Sequence, residues 1–367
     1  MKPVPIATGL SYGMQASAHH AETAVKQALA KAGLSHANSV LLFLTPQYAS
    51  DPTPAIRAAA RAAGCIQVMG STASGILTEQ EWVLDSPGAA AMVFGGDVTL
   101  TPTQAGRRGE AALSLCTPKG ISADWLDTPI CRIGAVSSDT AAHGHYAVWS
   151  NGRITESGAV EAGITGAHHA VTVSQGIRAL TAPIEVVEVQ GYEVLRMGSY
   201  PALNVLVQSL PPNVGDMEQI PLHLLIGGVT FGDPDTAITE GRYRLNYIIA
   251  ADPQNGSITL AQPLNPGERL FWAMRDALAA ERDMRQVIET GYESLGTEPH
   301  FGLLFPCAAR GPSFFGNRDR DVDQLRQRFP GMPFIGFYGN GEIGPLEEEN
   351  HLYQFSSILG LFKLGKF

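Results

Sequence analysis

The stretch Phe334-Ile335-Gly336-Phe337-Tyr338-Gly339-Asn340-Gly341-Glu342-Ile343-Gly344-Pro345 guides the interpretation of the whole chain. A short apolar run enters a turn that is dense in glycine and carries one acid, Glu342. Its four glycines would permit positive φ angles and a close approach of the backbone to a ligand. The stretch is therefore interpreted either as a ligand-contacting turn or as a tight connection between two strands.

An earlier segment, Val68-Met69-Gly70-Ser71-Thr72-Ala73-Ser74-Gly75-Ile76, has the same form. Each segment is preceded by an apolar run and a helical pattern, and each is followed by another apolar run. The preceding apolar runs are residues 41–43 and 303–305, and the helical patterns are residues 54–63 and 321–329. The apolar runs that follow are residues 89–94 and 357–362. This order predicts an internal duplication: a mixed α+β (α/β) fold of two related halves, with mixed sheets flanked by helices.

Composition narrows the class of protein. The chain has 367 residues, of which 44% are hydrophobic and 16% charged, so it is long enough for two well-packed domains. A net charge of −10 argues against nucleic acid as the partner. The absence of a long apolar run, together with Pro3 and Pro5 near the start, argues against a membrane span or a signal peptide. We therefore expect a cytoplasmic protein, and the four widely spaced cysteines are expected to be reduced.

One further segment is interpreted as the start of a helix. Asn265-Pro266-Gly267-Glu268 has the form of a capping box with proline at the first helical position. The helix is expected to carry Leu270, Phe271, Met274 and Leu278 on one face and to end near Thr290.

Glu342 and Arg310 are the candidate ligand contacts. A carboxylate in a glycine turn can accept hydrogen bonds from a ligand ammonium, and a guanidinium can hold a carboxylate with two bonds, so the pair would suit an amino acid. The alternative is that Glu342 and Arg310 bind each other and fix two loops. Tyr338 is expected either to line the pocket or to pack in the core.

Cys307 and three histidines carry the other hypotheses. Cys307 would be a nucleophile only with a lowered pKa and a nearby base; otherwise it is a small buried residue. His351, His223 and His300 are the candidates for a haem axial ligand, although no haem-attachment motif is present. No metal site is expected.

These motifs together resemble the FIST family, bacterial sensory domains in two parts. The motifs that carry the resemblance lie in order along nearly the whole chain: Leu42-Phe43, Thr45-Pro46-Gln47-Tyr48, Gly70-Ser71-Thr72, Asn151-Gly152, Gln175-Gly176, Tyr200-Pro201-Ala202-Leu203, Cys307-Ala308-Ala309-Arg310, the turn from Gly336 to Pro345, and Asn350-His351. Where the family commonly has an acid after the second glycine of the first turn, this chain has Ile76.

The resemblance implies a FIST N-like domain over 1–196 and a FIST C-like domain over 197–367. It implies a non-catalytic sensor of an amino acid or derivative that signals through a separate protein of histidine kinase, cyclase or chemoreceptor type. No cofactor is required; a haem-based nitric-oxide sensor and an enzyme using Cys307 are the alternatives. The expected ligand-binding residues are Cys307, Arg310, Gly336, Tyr338, Gly341, Glu342, Gly70, Ser71, Thr72 and Gln175.

Overall fold

The computed structural model describes residues 4–102, 111–127, 130–139, 144–212, 220–346 and 349–365. The chain forms two compact units: a main unit, residues 1–174 and 283–367, and an inserted unit, residues 175–282. The predicted domain boundary at 196/197 lies within the inserted unit. The predicted mixed α+β class is confirmed, because helices flank mixed sheets in the main unit.

The helices of the described residues are α1 (Ala18–Ala32), α2 (Thr53–Ala63), α3 (Ala123–Leu126), α4 (Ala202–Ser209), α5 (Pro234–Ala237), α6 (Ala277–Leu295) and α7 (Arg320–Arg328). The first twelve strands are β1 (Ile6–Tyr12), β2 (Ser39–Leu44), β3 (Val68–Thr72), β4 (Gly75–Thr78), β5 (Trp82–Leu84), β6 (Gly88–Phe94), β7 (Thr99–Thr101), β8 (Ala111–Cys116), β9 (Cys131–Val136), β10 (Val148–Ser150), β11 (Arg153–Ile154) and β12 (Ala159–Thr165). The others are β13 (Ala167–Ser174), β14 (Ile177–Ala179), β15 (Ile184–Gln190), β16 (Glu193–Met197), β17 (Tyr200–Pro201), β18 (Leu225–Thr230), β19 (Tyr243–Asp252), β20 (Ser257–Leu260), β21 (Arg269–Arg275), β22 (Phe301–Pro306), β23 (Phe334–Phe337), β24 (Glu342–Leu346), β25 (Glu349–Tyr353) and β26 (Ser357–Leu364).

Three six-stranded sheets of the main unit share one strand order. Sheet I is β1-β6-β2-β3-β10-β11, sheet II is β7-β12-β8-β9-β24-β25, and sheet III is β13-β26-β22-β23-β4-β5. In each sheet the third and fourth strands are parallel, and all other neighbours are antiparallel. The last two strands of each sheet are a hairpin that follows the fourth strand of another sheet. The three sheets thus exchange hairpins in a cycle.

The two stretches that the sequence pattern related belong to sheets I and III. Sheet II, whose strands β7, β8, β9 and β12 lie between residues 99 and 165, adds a further copy of the strand order that the pattern did not indicate. That the copies arose by duplication remains a prediction.

The echoed glycines occupy equivalent positions in the fourth strands. Gly70, Gly134 and Gly336 each lie in register with a residue of the neighbouring parallel strand. A Cβ on any of them would lie 1.5–1.7 Å from that residue's carbonyl oxygen, so a side chain has no room. Their role is close strand packing, with φ angles outside the positive range. Of the four turn glycines 336, 339, 341 and 344, only Gly341 has a positive φ, at 117°.

The inner faces of the three sheets form one core. Phe43 from sheet I packs edge-on against Phe337 from sheet III with ring centroids 4.9 Å apart, and Leu113 and Ile133 join them from sheet II. Helices α1 and α2 cover the outer face of sheet I, and α7 with the part of α6 in the main unit covers that of sheet III.

The inserted unit is an antiparallel barrel, because β21-β15-β16-β20-β19-β18 closes through a further pairing of β18 with β21. The helix predicted from Asn265 is wrong over its first turns: residues 269–275 form β21, and the helix begins at Ala277. Leu270, Phe271 and Trp272 are all completely buried, and such a continuous apolar run does not distinguish a buried strand from a helix. Glu268 instead closes a turn, its carboxylate accepting from the Asn265 backbone.

Candidate functional site

Three chain crossings, from β3 to β4, β9 to β10 and β23 to β24, meet at one end of the main unit. Ser74 Oγ lies 2.9 Å from Ser138 Oγ, and both hydroxyls donate to the carbonyl of Tyr338. The Tyr338 amide in turn donates to Gly75 O over 3.0 Å. These crossings follow the carboxyl ends of parallel strands, which is the edge where open α/β sheets place their ligands.

One position near the start of the incoming hairpin differs between the three copies. It is Ile76 in the first, Val148 in the second and Glu342 in the third, and all three side chains are buried to 1% exposure or less. The register pairs Ile76 with Phe337, Val148 with Ser71 and Glu342 with Ala135, each partner being the residue after the fourth-strand glycine. Glu342 therefore places a carboxyl group where the other two copies have an aliphatic side chain.

Two neighbouring positions break the repeat in the same copy. Where the first two copies have Thr45 and Thr117 after the third strand, the third copy has Cys307. The amides of these three residues donate to Gly88 O, Gly158 O and Ser356 O over 3.1, 2.7 and 2.8 Å, which establishes that they are equivalent. The same bonds show that Ser356 stands where the other copies have glycine.

These three departures form one cluster, Glu342, Cys307 and Ser356. Ser356 Oγ donates to Glu342 Oε2 over 2.8 Å, whereas Glu342 Oε1 has no hydrogen-bond partner among the described residues. Burial raises the pKa of Glu342 to about 8. Ser356 and the Cys307 thiol favour the ionised carboxylate and act in the opposite direction, but their effect is smaller. Burial, and then the charge of Glu342, raise the pKa of the Cys307 thiol far above its usual range. At neutral pH the cluster therefore holds a protonated carboxyl beside a protonated thiol.

Arg310 belongs to a second cluster. Its guanidinium holds Asp321 with two bonds, Nε to Oδ2 over 2.9 Å and Nη2 to Oδ1 over 3.0 Å, and both side chains are buried to 1% or less. It also donates to the carbonyl and the hydroxyl of Ser174 over 3.0 and 2.7 Å. The alternative interpretation, in which Arg310 and Glu342 bind each other, is therefore wrong: the guanidinium binds Asp321.

Tyr338 packs between the two clusters. Its hydroxyl donates to Asp319, which also accepts from the Val322 amide at the start of α7. Burial, and then the nearby Asp321, raise the pKa of Asp319 to about 7. The ring is 1% exposed, so it belongs to the buried wall of this region.

The structure brings some of the remaining predicted residues to the crossings. Thr72 Oγ1 lies 3.3 Å from Ser137 Oγ, and Gly341 accepts from the Val136 amide, so both help to join the crossings. Ser71 turns its hydroxyl to the Thr72 carbonyl. Gln175 is the first residue of the inserted unit, where its amide donates to two carbonyls of that unit.

Sequence reasoning missed Ser356, Ser74, Ser138, Asp319 and Asp321. For Ser356 a signal existed: aligning the echoed segments position by position places it opposite Gly88. The serines of the crossings gave no such signal, because only the fold brings them together.

The three histidines differ in their surroundings. His300 Nδ1 accepts from the Leu364 amide over 3.2 Å, which puts the proton of the neutral ring on Nε2. Haem-ligating histidines usually have the opposite arrangement, with Nδ1–H donating and Nε2 free for iron. His351 lies on β25, 3.9 Å from Glu349, and His223 lies in a short turn of the inserted unit. The geometry of His300 does not fit axial ligation.

Two protein-family models match this chain. The FIST N domain model matches residues 38–199, and the FIST C domain model matches 202–345. The chain belongs to the FIST-domain family. FIST domains are generally sensory domains, and the two matched regions meet close to the predicted boundary at 196/197. That each region is a domain of its own remains a prediction.

The chain is also similar to curated proteins. It is 28% identical to the uncharacterized protein Rv0628c of Mycobacterium tuberculosis over 67% of this chain and 65% of that protein. It is 29% identical to the uncharacterized protein Mb0898c of Mycobacterium bovis over 63% and 60%. Human F-box only protein 22 matches at 28% identity over 17% of this chain and 20% of that protein. The aligned region thus spans less than two thirds of each of these relatives.

Two kinds of feature are absent from the described residues. None of their helices is both long and apolar enough to cross a membrane. They also contain no group of three or more histidine, cysteine, aspartate or glutamate residues arranged to hold a metal ion.

Proposed function

We propose that this protein is a non-catalytic sensor that binds a small molecule, an amino acid or a derivative, at the Glu342–Cys307–Ser356 cluster. One observation carries the proposal: a completely buried carboxyl oxygen, Glu342 Oε1, without a hydrogen-bond partner among the described residues. An unsatisfied buried polar atom costs about 1–3 kcal/mol. The aliphatic residues at the two equivalent positions show that the fold itself does not need a carboxyl group there.

The chemistry of the cluster favours a nitrogen donor on the ligand. An ammonium group would supply the missing hydrogen bond and would favour the ionised carboxylate. Binding would then release a proton at pH values below about 8, where Glu342 is protonated without ligand. Arg310 has no part in this contact, because Asp321 already holds its guanidinium.

The chemistry of Cys307 argues against an enzyme. A thiol nucleophile needs a lowered pKa, and burial beside Glu342 raises it. The partner is proposed, on family resemblance, to be a separate signalling protein of the histidine kinase, cyclase or chemoreceptor type.

The test is a thermal-shift panel of amino acids and amines on three proteins: wild type, Glu342→Gln and Ile76→Val. A ligand at one hundred times its Kd should stabilise the wild type by about 2.7 kcal/mol. Glu342→Gln should lose that stabilisation, and Ile76→Val, at the equivalent position of another copy, should keep it. A panel without any ligand, or one whose hits ignore Glu342→Gln, would defeat this site.

Two further readouts decide between the remaining hypotheses. Turnover of a bound compound that Cys307→Ala abolishes, while affinity is kept, would establish the enzyme instead. A saturable Soret band that shifts with nitric oxide on haem titration would establish the haem sensor, with His351, His223 and His300 then substituted in turn.

A further inference from the structure

The inserted unit leaves and re-enters the main unit at two residues of the Arg310 cluster. Ser174 is the last residue before it and Asp283 the first after it. Arg310 donates to both the carbonyl and the hydroxyl of Ser174, and Ser174 Oγ donates to Asp283 Oδ2 over 2.7 Å. The buried Arg310 side chain therefore holds both boundaries of the inserted unit. It binds Ser174 directly and reaches Asp283 through the Ser174 hydroxyl.

Arg310 is also tied to the Glu342 cluster. Its amide donates to Cys307 O over 2.8 Å within a single turn, Ala308–Arg310. The amide of Ala308 donates to Gly339 O, in the crossing that leads to Glu342. A shift of Cys307 must therefore move the short turn on which Arg310 sits.

Ordered residues lie at both boundaries between the units. The residue after Ser174 is Gln175, which is 5% exposed and anchored by its side chain to Gly241 O and Tyr243 O of the inserted unit. On the return, α6 runs through residues 282 and 283 without a break. Packed side chains and continuous helices transmit displacement, whereas a flexible linker would absorb it.

We propose that the inserted unit is the output element of the sensor, and that Arg310, acting through Ser174 and Asp283, couples it to the Glu342 cluster. This inference rests on the proposed function for its stimulus. Arg310 is on this view a positioning residue that touches no ligand.

Hydrogen exchange of the full-length protein tests the coupling without a ligand, with Glu342→Gln as the perturbation. We expect Glu342→Gln to change amide exchange several-fold both around residues 339–343 and in the segments 175–180 and 276–282. In a Ser174→Ala background the local change should persist, and the change in segment 276–282 should disappear because Asp283 loses its hydrogen bond from Ser174. The change in segment 175–180 should remain, since Arg310 still donates to the carbonyl of residue 174. Ser174→Ala keeps the Arg310–Asp321 pair, so the fold should survive; Asp283→Asn provides a second variant.

Ile76→Val is the matched control, because its copy of the repeat has no Arg310, and its effect should stay near residues 73–78. The proposal is overturned if Glu342→Gln leaves the distant segments unchanged, or changes segment 276–282 equally with and without the Ser174 hydroxyl. Because no ligand is added, this failure is distinct from an empty ligand panel, which would defeat the proposed function alone.

Discussion

Asp321 and Glu342 are both completely buried carboxyl groups of the main unit, but their surroundings are opposite. Asp321 receives two bonds from Arg310, whereas Glu342 has one oxygen bonded to Ser356 and the other without a partner among the described residues. The first arrangement is typical of a structural ion pair. The second costs stability, and the aliphatic side chains at its two equivalent positions show that the fold can be built without it. The contrast indicates that Asp321 serves the stability of the fold, whereas Glu342 has a role other than stability.

The largest effect is expected from breaking the satisfied site. Arg310→Met should destabilise the protein by about 3–5 kcal/mol, because it leaves the Asp321 carboxylate buried without its cation. Urea unfolding measures the change. Arg318→Met, at an exposed arginine that pairs with Asp323, is the control and should stay within about 0.5 kcal/mol.

The double variant Arg310→Met/Asp321→Leu should regain much of the lost stability, since it removes the stranded charge. A loss below about 1 kcal/mol for Arg310→Met alone would mean that Asp321 does not depend on the guanidinium.

The unsatisfied site should respond to pH. Burial raises the pKa of Glu342 from 4.5 to about 8, so the folded protein keeps a proton that the unfolded chain loses above pH 4.5. The stability that this carboxyl contributes is thus present at acid pH and declines as the pH rises toward 8. Relative to Glu342→Met, the wild type should lose up to about 1.4 kcal/mol per pH unit between pH 5 and 8, and nothing more above pH 8.

Urea unfolding of both proteins at pH 5, 6, 7 and 8 gives this difference. Asp319, whose pKa burial raises to about 7, is present in both proteins, so its contribution should cancel. The free energy of unfolding of Ile76→Val should change with pH in the same way as that of the wild type. If the free energies of unfolding of Glu342→Met and the wild type changed with pH in the same way, the Glu342 carboxyl would be ionised in the folded protein and would have a hydrogen-bond or ionic partner there.

The sequence predicted the local elements better than their assembly. The predicted apolar run at 41–43 lies within strand β2, and the helix predicted over 54–63 ends at Ala63, because a buried apolar run and a following glycine are local signals. The copy of the strand order in sheet II was missed because the connection between Val136, at the end of β9, and Val148 is longer than in the other copies and hides the glycine spacing. Arg310 was recognised as important, but its partner Asp321 is chosen by tertiary packing.

The smallest effect is expected at Cys307. Cys307→Thr installs the residue that the two other copies carry, and Thr45 shows that a hydroxyl here can accept from the Gly88 amide over 2.9 Å. Because the change nearly conserves volume and the position tolerates threonine twice, the free energy of unfolding should change by less than about 1 kcal/mol. Ligand binding should weaken only modestly, since Glu342 and Ser356 keep their own bond. A loss of binding as large as that of Glu342→Gln would instead make the thiol an equal ligand contact, and the comparison with Asp321 would then have to include both members of the cluster.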